Sequence, residues 1–218
     1  MSPRRRDTPP GPTDAERTVV ELRRRVLDGE LPPGTRLREE ALAEEFQQSR
    51  HTIRRALDKL VAEHLLTAEA YRGISVTALT ERDFIELQQM RSALESEAVR
   101  LIIRAHGHQW PADVLAPIED AIDRLAAAAA ADHDVEIAHS EVHQALVAAA
   151  ANERIAAAYA GLSSEVSLFV HRLRSYYDPS CLADDHRTYL QAAMRHGESA
   201  VHDHLDESTQ TMIAGGHR

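Results

Sequence analysis

The 218-residue chain has a single cysteine, Cys181, so no disulfide can form within it and its thiol content fits a reducing compartment. Aromatic residues make up only 4% of the chain, whereas alanine and leucine are plentiful. That balance favours helices over sheets and predicts a mainly α fold. No apolar run approaches the length needed to span a bilayer, so no membrane partner is expected. The first dozen residues carry Arg4-Arg5-Arg6 and four prolines but no apolar core of a secretory signal, which points to a cytoplasmic protein with a flexible tail at 1–12. Also missing are H-E-x-x-H, Gly-x-Ser-x-Gly and a glycine-rich phosphate loop.

Positive charge is short overall, the net being −10, which by itself argues against nucleic acid. Its distribution says otherwise. Residues 1–79 hold 14 Lys+Arg against 13 Asp+Glu, and residues 80–218 hold 11 against 22, so the two parts differ in task. A near-neutral module can still bind DNA through a local patch.

Such a patch is present from Ser49 to Leu60. At helical spacing Ile53, Ala56, Leu57 and Leu60 form an apolar stripe, and Arg50, His51, Arg54 and Arg55 fall on the flanks and back. Ser49 is a good N-cap. Upstream, 38–46 reads as a short amphipathic helix with Leu42 and Phe46 inward, and only Gln47-Gln48 separates the two, a helix-turn-helix arrangement. Strand-like runs at 65–68 and 74–78 flank Glu69-Ala70-Tyr71-Arg72-Gly73, a hairpin with arginine at its tip. A further helix is opened by Thr13 with Glu16. Together these make a winged helix over 13–79.

From Thr80 onward the pattern is helix after helix, about 81–105, 111–131, 134–150, 153–177, 181–196 and 198–213, which predicts an all-α antiparallel bundle over 80–213 with a short tail at 214–218. Eleven of the 13 histidines lie in this half. His139 and His143, four apart, share a helix face, and His186 and His204 sit on the last two helices. Histidines from three helices can converge on a metal; they can equally be surface or core residues. His202 lies two residues from His204 and cannot share its face. Arg91 falls beside the apolar stripe of its helix and needs an anion. Glu95, one turn on, is one candidate.

Residues 18–79 resemble the DNA-binding domain of the GntR family of bacterial transcriptional regulators through Gly29, Leu31, Pro33-Gly34, Leu37, Leu42-Ala43, Ser49-Arg50, Ile53-Arg54, Ala56-Leu57, Leu60 and Arg72-Gly73. Gln47 and His64 stand where glycines are usual, and Arg55 replaces a common glutamate. Residues 80–213 resemble the FCD effector domain of the FadR-like branch. Ser140-Glu141-Val142-His143, Asp185-His186-Arg187 and Ala200-Val201-His202-Asp203-His204-Leu205 match its metal-ligand segments, with His139 where an aspartate is usual. The resemblance implies a homodimeric repressor that binds double-stranded DNA at a palindromic operator and is released by a small organic acid. Arg38, Ser49, Arg50, His51, Thr52, Arg54, Arg55, Arg72 and Gly73 would serve the DNA. His139, His143, His186 and His204 would hold a divalent transition metal, zinc first and nickel or iron next. Arg91 would hold the effector's carboxylate. The competing reading from another class is a metal-dependent hydrolase using the same histidines.

Overall fold

The computed structural model describes residues 11, 13–131, 134–173 and 179–216. The chain divides into two compact units, residues 1–77 and 78–218, two residues short of the expected 79/80 boundary.

The first unit opens with α1 (Asp14–Leu27), where Thr13 Oγ1 accepts the Glu16 N–H and the Glu16 carboxylate accepts the Thr13 N–H at 2.7 Å. These reciprocal bonds satisfy donors that a helix start otherwise leaves unpaired. Strand β1 (Arg36–Leu37), which sequence pattern did not suggest, precedes α2 (Glu39–Glu45) and α3 (Arg50–Ala62). Val19, Leu22 and Val26 of α1 pack on α3, whose buried side is Ile53, Ala56, Leu57 and Leu60. Each such leucine contributes about 2 kcal/mol by burial. Strands β2 (Leu66–Glu69) and β3 (Gly73–Val76) form the hairpin, and β3 lies between β1 and β2 in an antiparallel sheet. Gln47 (φ 53°) and His64 (φ 58°), the two positions where glycine is usual, both adopt the left-handed backbone that explains that preference.

The second unit is a bundle of seven helices among the described residues, not the expected six. Helix α4 (Glu81–His106) is capped by Thr80 with Asp83 and is about 39 Å long. It is followed by α5 (Ala112–Ala131) and α6 (Val135–Ala148). The single helix expected over 153–177 is instead α7 (Glu153–Ala160) and α8 (Ser163–Leu173), its last residues lying outside those described. Gly161 makes the break: the poorest helix former short of proline sits at the end of α7. Helix α9 (Pro179–His196) starts on Pro179, where a missing N–H costs nothing, and α10 (Glu198–Gly216) closes the unit. Val99, Ile122, Leu125, Leu146, Leu190 and Val201 join α4, α5, α6, α9 and α10 in one core. A second cluster stacks Phe84 on Phe169 with ring centres 3.7 Å apart. No helix among the described residues is long and apolar enough to cross a membrane.

Candidate metal centre and nucleic-acid interface

On α3 the buried stripe turns Arg50, His51, Arg54 and Arg55 outward to solvent. Ser49 Oγ accepts the Thr52 N–H at 3.1 Å, which fixes the start of the helix and aims its dipole. Two of the outward arginines are tethered by α2. Arg54 donates from Nε and Nη2 to the two carboxylate oxygens of Glu39 at 2.9 and 2.7 Å, and Arg50 lies 3.2 Å from Glu40. The Arg54 guanidinium holds the Glu39 carboxyl below the usual carboxylate range. Arg38, just before α2, is exposed. At the hairpin tip Arg72 pairs with Glu69 at 3.0 Å, and Tyr71 and Gly73 take left-handed backbone (φ 66° and 86°). The nine residues singled out for DNA therefore lie on α3, at its cap, just before α2 and on the wing tip.

In the second unit His139 and His143 of α6 and His186 of α9 come together, with one ring nitrogen of each lying within 4.8 Å of the others. All three are buried. Two tautomers are dictated by their partners. His186 Nδ1 lies 2.7 Å from the Leu182 carbonyl, which can only accept, so Nδ1 carries the proton. His143 Nδ1 lies 2.9 Å from the Glu95 carboxylate, and the same reasoning applies. The Nε2 atoms of both rings are then left as lone pairs, and they face each other across 3.1 Å. Protonating either ring would relieve that contact, but burial pushes His143 well below its ordinary pKa and His186 down to about 4. Burial likewise lowers His139, whose Nδ1 has no hydrogen-bond partner among the described residues. Neutral, converging, unpaired nitrogens suit a transition-metal ion, and the donor set fits one.

His204 of α10 adjoins this group without being in its tightest set. Its ring centre is 5.4 Å from that of His143 and 5.0 Å from that of His186, and it stacks on Tyr189 at 4.1 Å. His202 is elsewhere, with Nδ1 2.8 Å from Ser92 Oγ. Arg91 is only 2% exposed and fully engaged, its Nε donating to Tyr159 at 2.9 Å, Nη1 to Gln88 at 2.7 Å, and Nη2 lying 3.3 Å from Glu95. Of the two partners open to it on sequence, the structure supplies Glu95. Glu95 also accepts from both Tyr159 and Tyr189. Neither tyrosine stood out in the sequence, although Tyr189, three residues after His186, shares that residue's face.

A cavity of about 700 Å³ opens beside the histidines, its described lining running from His139, His186, Tyr189 and His204 out to Asp203 and Glu207. Arg91 is not among those described lining residues.

Residues 14–76 match the bacterial regulatory proteins of the gntR family, and residues 86–210 match the FCD domain. The chain is 37% identical over 100 residues to the HTH-type transcriptional regulator BphR of Paraburkholderia xenovorans, covering 46% of this chain and 41% of that protein. It is 26% identical over 184 residues to the gluconate operon transcriptional repressor of Bacillus subtilis, covering 81% and 74%. In three curated matches the chain spans 41%, 59% and 37% of the relative's length, about half. Its fold is that of a GntR transcriptional regulator from Rhodococcus sp. RHA1, with TM-score 0.74 at 23% identity over 92% of this chain and 97% of that one. These families and relatives are transcriptional regulators, and the hydrolase alternative finds no support among them. With its second unit matched nearly end to end and a winged helix before it, the chain belongs to the GntR family of bacterial regulators, in the group that carries an FCD domain.

Proposed function

We propose that the chain is a cytoplasmic, homodimeric repressor that holds a palindromic operator through its winged helix and releases it when a small organic acid enters the helical domain. The DNA would be read by Arg50, Thr52 and Arg54 on α3, with Ser49, His51, Arg55 and Arg38 meeting the backbone and Arg72 and Gly73 reaching from the wing. Glu39 and Glu40 would keep the α3 arginines oriented until DNA phosphates compete for them.

The observation that carries the ligand half is the convergence of three buried imidazoles, two of them with Nε2 atoms 3.1 Å apart, beside an open cavity. His139, His143 and His186 would hold a divalent transition metal, with His204 the neighbouring donor. Three imidazoles favour zinc, then nickel or iron, over magnesium or calcium. When bound, such an ion offers a Lewis-acid site to an anionic oxygen. A sugar acid suits that chemistry, and the Bacillus subtilis relative is named for the gluconate operon. Arg91 would serve the ligand indirectly, by holding Glu95 and Tyr159 in place. The experiment is fluorescence anisotropy on promoter fragments, titrated with sugar acids before and after chelation. Release by one acid in the metal-loaded protein alone supports the reading; operator binding that ignores every acid in both forms removes the ligand half.

A further inference from the structure

Glu95, which contacts His143, Arg91, Tyr159 and Tyr189, lies behind the histidine group rather than in it. It is fully buried on α4 and meets four groups from four helices. Its Oε1 accepts from Tyr159 of α7 and lies 3.3 Å from Arg91 Nη2 of α4. Its Oε2 accepts from Tyr189 of α9 at 3.0 Å and from His143 Nδ1 of α6 at 2.9 Å. Arg91 can only donate, and Tyr159, which accepts from Arg91, donates onward, so a group with acceptors on both ends pairs all four partners at once. A carboxylate is that group.

We infer that Glu95 is the positioning residue of the candidate metal centre: by accepting the Nδ1 proton of His143 it forces the lone pair onto Nε2, where it faces His186. This rests on the reading that the three histidines take a metal. A carboxylate behind a ligating imidazole fixes both the ring's tautomer and its orientation. Arg91 then has a stated task, to hold the carboxylate that sets the ring.

The geometry says what Glu95→Gln does. A glutamine has one acceptor and one donor end, and the guanidinium of Arg91 can only donate, so the amide oxygen goes towards Arg91 and Tyr159. The NH₂ then takes the place of Oε2. Facing a donor, His143 gives up its Nδ1 proton and accepts instead, which moves its proton to Nε2. That N–H points at the lone pair of His186 Nε2, 3.1 Å away, and the two rings hydrogen-bond to each other. The lone pair meant for the metal is thereby consumed, while the buried Arg91 guanidinium loses its counter-charge and the Tyr189 hydroxyl its acceptor at Glu95, so the wild-type ring spectra carry the test if the variant does not fold.

The test combines zinc competition titration with long-range ¹H–¹⁵N spectra of the histidine rings, on the full chain. The metal-free wild type is expected to show His143 with the proton on Nδ1, and E95Q with the proton on Nε2. Zinc affinity should fall roughly 10- to 100-fold in E95Q. A wild-type His143 protonated on Nε2 would overturn the inference without recourse to any variant. An E95Q protein that binds zinc as tightly as wild type, its His143 ring unchanged, would overturn it while leaving the metal reading intact. A wild type that takes up no zinc would sink the metal centre and this inference together.

Discussion

Stripped of metal, the helical domain should lose stability steeply as pH falls below neutrality, because its histidines are buried neutral. His186 has its pKa pushed down to about 4 by burial, from an ordinary value of 6.5. Between those two values the unfolded chain binds a proton that the folded one refuses, so stability rises with pH across the window and is forfeited going down it. At 1.36 kcal/mol per unit, a gap of 2.5 units corresponds to about 3 kcal/mol lost from this one residue by pH 4. His139, His143 and His204 are shifted in the same direction, so the total slope should exceed that of a single proton. The only tryptophan, Trp110, is buried in the core of this same unit, so its fluorescence follows the helical domain alone. Urea midpoints of the chelator-treated protein at pH 7, 5.5 and 4.5 give the slope, and His186→Gln should flatten it by about one proton's worth. If the His186→Gln and wild-type slopes coincide, the neutral, burial-depressed imidazole inferred at His186 is wrong.

Arg54→Ala should weaken operator binding by about 5- to 150-fold, the 1–3 kcal/mol of a specific arginine contact, without altering zinc uptake; anisotropy at fixed salt measures it. Gln47→Gly should raise the stability of the winged helix by roughly 0.5–1 kcal/mol, since φ 53° strains an L residue more than glycine's extra chain entropy costs; thermal unfolding of the variant reads this. His139→Asp should keep a metal site but shift its preference towards manganese, as a hard oxygen replaces an imidazole; competitive metal titrations give the ranking, and an unchanged order would remove His139 from the donor set.

Much of this was legible in the chain itself, for reasons of local periodicity. The stripe Ile53, Ala56, Leu57 and Leu60 repeats at helical spacing, so α3 and the outward direction of its arginines followed from the sequence, as did the caps at Thr13, Ser49 and Thr80. His139 and His143 had to share a face for the same reason. Helix ends were less legible: one glycine, Gly161, split a segment whose alanine-rich composition reads as continuous helix. Strand β1 is two residues long and exists only because β3 offers it a partner.

Which side chains could face inward and which charges could face DNA was written in local spacing, since both depend on neighbours three and four residues away. That Arg91 pairs with Glu95, that Tyr159 and Tyr189 converge on the same carboxylate, and that the Nε2 atoms of His143 and His186 come within 3.1 Å emerged only once the helices packed. Those contacts join residues 43 to 94 positions apart, or turn on which of two possible anions reaches a buried guanidinium. No periodicity encodes such meetings; they are fixed by how the helices pack and by the cost of leaving any buried polar group unpaired.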